Sequence, residues 1–382
     1  MKIAILESIV MPAGHEVEFD RILVEEIKNQ GHEPVFFVPE NFPFKFDYKT
    51  DVLYLTGGES VSYAGVGKLK KLWLSIQREQ RRKAWFNDAF EKAKRGLCDA
   101  IIIPTSTYRY LRTIRKTNLK ESPVPVIFII HGINPREKDN FIQEMNKCEN
   151  YKNLHFAVLT MRNDFEEIKN DRLHLINPPV YTPRDLKINP SFMVHSPLRL
   201  GFFGQYRREK NLDFFLEAFI QAKFTKPVEL LVQGSTAKPE DSEDFERLTR
   251  KYSMYSGIKF LHKSLIGREW QEALLNTDII LMPYAAERYR YHWGAMLFTA
   301  IGYYKPVLQS PELNPEVLER FKIGESVKLD SVEQFSNQLE NFVNSFEEKQ
   351  SQYQCGLTDA NVEYSPIQFA RNLLAIINTG NI

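Results

Sequence analysis

The chain has 382 residues, which is too long for one typical hydrophobic core and predicts two domains. With 43% hydrophobic and 26% charged residues it has the composition of a folded globular protein, which excludes a disordered or fibrous chain. The net charge of +1 excludes a globally basic nucleic-acid binder but not a local basic surface.

Short apolar runs alternate with amphipathic helical patterns along the whole chain. Most runs lack the polar–apolar alternation of a half-exposed strand, so they predict parallel strands that are covered on both faces. This rhythm is typical of doubly wound α/β domains. The predicted strands are residues 2–6, 34–38, 52–55, 100–103, 126–130 and 156–160, then 198–203, 228–233, 258–261, 279–282 and 306–309.

A proline-rich segment at residues 176–197 separates the two series of strands and has no helical periodicity. Near the end of the chain, Ser365 followed by Pro366 predicts a helix start. We therefore expect four parts, the last of which packs back on the first. They are an N-terminal domain at 1–180, a linker at 181–197, a C-terminal domain at 198–355 and a C-terminal helix within 356–382.

The sequence contains few signals of cellular compartment or targeting. Cys98, Cys148 and Cys355 are far apart and form no Cys-x-x-Cys motif, which predicts a reducing compartment and no structural zinc. Glu7 interrupts the first apolar run, so no secretory signal peptide is expected. No run approaches the roughly 18 apolar residues of a membrane span. We expect a cytoplasmic protein, free or bound at the inner face of a membrane.

Several longer motifs follow a common pattern. In the second half, "LRLGFFGQYRREKNLDFFLEAF" joins a strand to a helix through a Gly-Arg loop, and "LLVQGS" is a strand that ends in glycine. "TDIILMPY" and "LFTAIGYYKPVLQS" follow, and the first half contributes "PAGHEVEFDRILVEEIKNQGHEPVFF" and "PVIFIIHG". Over nearly its whole length the chain resembles a GT-B glycosyltransferase. The pattern is closest to the retaining family 4 (glycosyl transferases group 1), with a degenerate Glu-x7-Glu motif.

The resemblance implies two Rossmann-like doubly wound domains that face a central cleft. It implies a nucleotide-diphosphate sugar of the UDP or GDP type as donor, bound by the C-terminal domain, and retention of the anomeric configuration. The acceptor, a glycan, a lipid-linked molecule or a protein, would be bound by the N-terminal domain. GT-B enzymes usually need no metal, and the chain has no clear Asp-x-Asp, so we expect neither metal nor cofactor.

The leaving diphosphate needs positive charge and aimed N–H groups. Lys210 aligns with the phosphate-binding lysine of the family, whereas the family's arginine falls on Gln205. Arg207 and Arg208 are candidates to replace it, and a solvated basic loop is the alternative. Gly234 ends the following strand at a position that resembles the family's donor site.

The degenerate Glu-x7-Glu motif leaves its acidic positions uncertain. The second glutamate, which contacts the ribose in the family, is Thr299 here. The first is Glu287 when the alignment runs forward from Pro283, and Tyr291 when it runs backward from Gly294. Either residue is a candidate donor contact, and a packed surface loop is the alternative.

A helix begins next to these positions. Gly294, Ala295 and Met296 open it, and the free N–H groups of a helix start can hold a diphosphate. Glycine at the first position permits close approach of a ligand.

In the N-terminal half, Gly14 and His15 lie in the loop after the first strand, which contacts the diphosphate or the acceptor in the family. His131 ends a strand at the position of the family's active-site histidine. Ligands bind at the ends of parallel strands, which favours the functional interpretation over a merely packed histidine.

Residues 67–86 predict a basic amphipathic helix. Leu69, Leu72, Trp73 and Ile76 recur at helical spacing among lysines and arginines. Such helices can bind anionic membranes, so a peripheral membrane contact is one hypothesis and a core-facing helix is the other.

Other functions remain open at this point. The absence of a glutamate at 299 and of an arginine at 205 is compatible with a non-catalytic subunit that binds a glycan or a catalytic partner. An epimerase or a glycosyl phosphorylase of the same architecture is a third possibility. No nucleic-acid partner is expected.

Overall fold

The computed structural model describes residues 1–9, 16–44, 46–61, 67–160, 163–182, 188 and 194–379. These form two compact units. Unit 1 contains Met1–Pro178, Tyr291–Trp293 and the residues from Pro366 onward, and unit 2 contains Pro179–Arg290 and Gly294–Ser365. Residues 356–365 therefore belong to unit 2, and the helix that begins at Pro366 belongs to unit 1.

The elements up to Pro178 alternate between strands and helices. They are β1 (Lys2–Leu6), α1 (Glu16–Asn29), β2 (Glu33–Pro39), β3 (Asp51–Leu55), α2 (Lys68–Lys94), β4 (Ala100–Ile103), α3 (Tyr108–Ile114), β5 (Val126–Ile130), β6 (Gly132–Ile133), α4 (Lys138–Asn146), β7 (Leu154–Leu159) and β8 (Leu173–Ile176).

The same alternation continues beyond the proline-rich segment. The elements are β9 (Leu198–Phe202), α5 (Leu212–Gln221), β10 (Val228–Gln233), α6 (Pro239–Tyr252), β11 (Ile258–Leu261), α7 (Arg268–Leu275), β12 (Ile279–Met282), β13 (Tyr291–His292), α8 (Ala295–Gly302), β14 (Val307–Gln309), α9 (Pro315–Arg320), β15 (Gly324–Ser326), α10 (Val332–Asn344), α11 (Phe346–Glu363) and α12 (Pro366–Thr379).

Each unit is built on one parallel sheet. The strand order is β3-β2-β1-β4-β5-β7-β8 in unit 1 and β11-β10-β9-β12-β14-β15 in unit 2. The apolar strands are buried because helices cover both faces of such sheets; in β5, for example, every residue is buried. The predicted fold class, α/β with a parallel sheet in each of two domains, is confirmed.

The direction of winding reverses once in each sheet. In unit 1 the reversal lies between β1 and β4, and in unit 2 it lies between β9 and β12. Loops at the carboxyl ends of two such neighbouring strands run in opposite directions and leave a crevice, which is where doubly wound sheets bind ligands. In unit 2 a ligand site is therefore expected at the loops after β9 and β12.

Unit 1 also contains a short antiparallel pair. Tyr291 pairs with Ile133 and His292 with Gly132, so β13 extends β6. A Cβ atom on Gly132 would lie 2.6 Å from the His292 ring, so this close pairing requires glycine. The helix α12 packs on α1 in the same unit, where Phe19 and Phe369 meet with ring centroids 5.5 Å apart.

Candidate functional site

Two loops meet at the reversal point of unit 2 and bring positive side chains together. The loop after β9 carries Arg207 and ends in a 3-10 turn that contains Lys210. The loop after β12 carries Tyr284 and Arg288. They meet because β9 and β12 are neighbours in the sheet, although about eighty residues of sequence separate the two strands.

Lys210 is a buried cation at the centre of this group. Its Nζ lies 4.2 Å from the centroid of the Tyr284 ring and 5.4 Å from that of Phe202. In the part of the chain that the structure describes, no carboxylate lies within ion-pair distance of it. Burial, reinforced by the charge of Arg207, lowers the pKa of Lys210 to about 7. An anionic ligand would supply the missing counter-charge.

The residues around Lys210 divide into two groups by their contacts. Arg207 donates from Nη2 to Gln205 Oε1 at 3.0 Å, so Gln205 positions the arginine. Arg208 instead donates to the carbonyl of Glu240 at 2.7 Å, which directs it to the start of α6. The structure thus brings Arg207 and Gln205 to Lys210, and it ties Arg208 to a neighbouring helix.

Two of the predicted glycines are required by packing. A Cβ atom on Gly234 would lie 2.4 Å from the Phe245 ring. Gly294 has φ +73° and caps α8, and a Cβ atom there would lie 3.1 Å from Asn314 Nδ2. The next residues, Ala295 and Met296, are half-buried at the start of α8, where the first N–H groups of a helix have no partner within it.

The three positions of the degenerate acidic motif are in different environments. Thr299 is buried and donates its hydroxyl to the Ala295 carbonyl at 2.8 Å, one turn earlier in α8. Glu287 is exposed and begins a 3-10 turn in unit 2. Tyr291 is buried in unit 1, where its hydroxyl donates to Asp164 Oδ1 at 3.2 Å.

His131 lies in an aromatic cluster of unit 1. Its ring centroid is 4.5 Å from that of Phe19 and 5.0 Å from that of Trp293, both with edge geometry. The backbone N–H of Trp293 also donates to the His131 carbonyl at 2.9 Å. These contacts fix the ring at the carboxyl end of β5. The predicted residues Gly14 and His15 lie outside the described residues.

Sequence reasoning missed the two residues that the loop after β12 contributes. Tyr284 stands where the family has serine, and its ring lies against the Lys210 ammonium. Arg288 lies in the insertion that shifts the alignment, and its Nη1 is 2.6 Å from Glu209 Oε1. The available signal was the basic and aromatic composition of the insertion, which does not identify the residue that turns inward.

Three buried carboxyl groups in unit 1 were not among the predicted site residues. Glu7 follows β1, and Glu16 and Asp20 lie one turn apart in α1. Burial raises the pKa of Glu7 to about 8, although Glu7 Oε1 accepts the N–H groups of Ser8 and Ile9, each at 2.6 Å. Burial and the charge of Glu7 also raise the pKa of Asp20. For Glu7, the sequence feature that could have indicated this group was an acidic residue directly after an apolar strand.

The comparisons with known proteins point to the same part of the chain as the geometry of the site. Residues 197–345, which include both loops of the site, match the family described as Glycosyl transferases group 1. A glycosyltransferase from Rickettsia africae superposes with a TM-score of 0.69 at 12% identity, covering 100% of this chain and 98% of that one. The chain therefore has the GT-B fold, and its residues 197–345 are similar to the group 1 glycosyl transferases.

The chain is also similar to two further solved structures. Anabaena HepE in complex with UDP-glucose superposes with a TM-score of 0.68 at 13% identity, covering 99% of this chain and 100% of HepE. WaaG, a glycosyltransferase involved in lipopolysaccharide biosynthesis, gives 0.58 at 14% identity, covering 98% and 99%. No curated protein gives a significant match by sequence. At these identities the superpositions establish the fold.

No helix among the described residues is long and apolar enough to cross the hydrocarbon core of a bilayer. No group of three or more His, Cys, Asp or Glu side chains in this part of the chain is arranged to hold a metal ion.

Proposed function

We propose that the protein is a glycosyltransferase that moves a sugar from a nucleotide-diphosphate sugar, and that unit 2 holds the donor diphosphate with Lys210, Arg207 and the start of α8. The observation that carries the proposal is the buried Lys210 ammonium, which lies on the Tyr284 ring without a carboxylate partner at the reversal point of the sheet. A buried cation of this kind is costly unless a ligand uses its charge. HepE was solved with UDP-glucose, so a UDP-hexose is the first donor to test.

The reaction follows from the charge that develops. As the bond between the sugar and the phosphate breaks, negative charge grows on the diphosphate, and Lys210 and Arg207 stabilise it. The acceptor hydroxyl attacks from the face that the leaving group vacates, and a phosphate oxygen takes its proton. The anomeric configuration is retained, and no metal is required because side-chain cations supply the charge.

The acceptor is the second substrate, and we assign it to unit 1. His131 is fixed at the carboxyl end of β5 by Phe19 and Trp293, and ligands bind at this edge of doubly wound sheets. The assignment leaves the chemical class open among a glycan, a lipid-linked molecule and a protein.

A peripheral contact with an anionic membrane has specific support. Leu69, Leu72, Trp73 and Ile76 are 53–88% exposed on the first turns of α2, so the core-facing interpretation of this stripe is wrong. Exposed Lys70 and Lys71 lie beside it, and residues 67–78 contain no acidic residue. An apolar stripe flanked by lysines is complementary to anionic headgroups above acyl chains.

Thermal shift with a panel of nucleotides and nucleotide sugars tests the donor assignment, because a ligand that binds the native state raises the melting temperature. We expect one nucleotide family to raise it, and we expect the matching sugar nucleotide to release its nucleotide faster when an acceptor is added. A complete panel without any shift contradicts the donor assignment. Binding without nucleotide release contradicts the proposed transfer.

A further inference from the structure

Glu209 lies between two arginines that come from different loops of unit 2. Its Oε1 is 2.6 Å from Arg288 Nη1 and 3.7 Å from Arg207 Nη1. Glu209 directly precedes Lys210 in the 3-10 turn, so the carboxylate lies where the three cations converge. In the described part of the chain it is the one acidic side chain within ion-pair distance of either arginine.

The charges of this cluster do not balance. Arg207, Lys210 and Arg288 bring three cationic groups, and Glu209 brings a single carboxylate. Both arginines depress the pKa of Lys210 and Glu209 raises it, so all four groups interact electrostatically. In addition, Arg288 Nε is buried and has no hydrogen-bond partner. The cluster therefore holds more donors and more positive charge than its own carboxylate can satisfy.

A diphosphate is the ligand that completes such a cluster. It carries two to three negative charges and several acceptor oxygens, and a guanidinium binds phosphate oxygens through paired N–H groups. The carboxylate of Glu209 accepts a single hydrogen bond from Arg288 Nη1, at a position that a phosphate oxygen could take. Gln205, at the position of the missing family arginine, can donate a hydrogen bond but brings no positive charge.

We propose that Arg288 is a third diphosphate ligand that replaces the arginine missing at Gln205, and that Glu209 is an internal counter-ion which the diphosphate displaces. This inference rests on the proposed donor site in unit 2. In the ligand-free protein Glu209 keeps Arg288 and Arg207 in place and limits their mutual repulsion. When the diphosphate binds, it takes over both arginines and Glu209 turns to solvent.

The proposal predicts opposite effects for the two members of one ion pair. Arg288→Gln removes a ligand and should weaken binding of UDP about tenfold or more, because a charge-assisted contact is lost. Glu209→Gln removes the competitor and should tighten binding about threefold or more. An ion pair that only stabilised the fold would give the same sign in both variants, namely a loss of stability and of binding.

The experiment is isothermal titration calorimetry of UDP and of inorganic pyrophosphate at about pH 6, below the value of about 7 to which burial lowers the pKa of Lys210. The control is Arg268→Gln, which removes an exposed arginine that pairs with Glu272 at 2.8 Å elsewhere in unit 2. We expect wild-type affinity for this control. Circular dichroism and melting temperature check that each variant is folded.

The outcomes separate this inference from the donor assignment. If neither UDP nor pyrophosphate binds the wild-type protein, and GDP also fails, the donor site itself is refuted. If the wild-type protein binds one of them and Arg288→Gln binds it equally well, Arg288 is not a ligand and the inference is overturned. Weaker binding by Glu209→Gln overturns the role of Glu209 as a displaceable counter-ion.

Discussion

At the scale of single residues, Lys210 lowers the stability of the ligand-free protein, although we propose that it is needed for function. Its ammonium is buried on aromatic rings, and its pKa is lowered to about 7 because the folded protein disfavours the charged form. A lysine with a lowered pKa destabilises the fold at pH values below that pKa, and this cost disappears as the pH rises toward 10.5, the usual value for lysine. The charged lysine therefore destabilises the ligand-free protein, whereas a bound anion would supply the counter-charge that the ammonium lacks.

Replacement of Lys210 by methionine should separate these two properties. Lys210→Met keeps an unbranched stem between the rings, so we expect the ligand-free protein to gain on the order of 1 kcal/mol or more in free energy of unfolding below pH 7. Turnover should fall roughly 100-fold or more, because one electrostatic donor is lost. Chemical denaturation and steady-state kinetics measure the two effects.

Lys305 provides the matched control for this variant. It is buried in the same unit, its pKa is lowered to about 8 by burial, and its Nζ donates to the Leu275 carbonyl at 3.2 Å. Lys305→Met should leave turnover per folded molecule unchanged. Near-normal turnover of Lys210→Met would remove Lys210 from the mechanism.

The structure also makes the two alignments of the acidic motif testable. Tyr291→Phe removes the hydrogen bond to Asp164, so we expect unit 1 to lose about 1 kcal/mol of stability while the donor affinity stays the same. Glu287→Ala should weaken donor binding if the exposed carboxylate contacts donor hydroxyls. Titration of both variants with donor distinguishes the two alignments. A weakened donor affinity in Tyr291→Phe alone would favour the backward alignment.

At the scale of elements, α2 has two different halves. Its first turns expose an apolar stripe beside Lys70 and Lys71, whereas further along Arg82 is buried over the Tyr110 ring at 4.0 Å and pairs with Glu79. Arg82 is therefore part of the fold, and a test of membrane binding has to change the exposed lysines instead.

The expected outcome is preferential binding to anionic lipid. Vesicles that contain phosphatidylglycerol should bind the protein better than vesicles of phosphatidylcholine, and added salt should weaken the binding. Lys70→Glu combined with Lys71→Glu should reduce co-sedimentation with the anionic vesicles several-fold. Lys94→Glu, at the other end of α2, is the control with the same change of charge per site. Equal partitioning to both vesicle types would refute the contact.

Most helices and strands were predictable from the sequence, but the side-chain contacts between distant loops were not. The buried strands were found because uninterrupted apolar runs such as β5 have one simple interpretation. The edge strand β8 was missed because its residues are mostly half-exposed, and β13 because two residues show no periodicity. Lys210 was found through its motif. Arg288 was missed because its role depends on the meeting of two loops in space, which local pattern does not contain.

At the scale of the whole molecule, the electrostatics of unit 2 predict independence from metal. If Lys210 and its neighbouring arginines hold the diphosphate as we propose, transfer should continue in excess EDTA, because side-chain cations then supply the charge that a divalent ion would otherwise bring. Turnover measured with and without the chelator checks this expectation. Complete loss of activity that manganese or magnesium restores would show that a metal is required.

The assembly of unit 1 from separate stretches of sequence has a consequence for synthesis. Phe19 in α1 packs against Phe369 in α12, so the ribosome must add about 350 further residues before this contact can form. At roughly 5–20 residues per second, that takes about 20–70 s. Every residue of unit 2 is translated within this interval. The part of the protein made first is thus the last to be completed, and a nascent chain that stopped at Ser365 would lack the Phe369 ring that packs on Phe19.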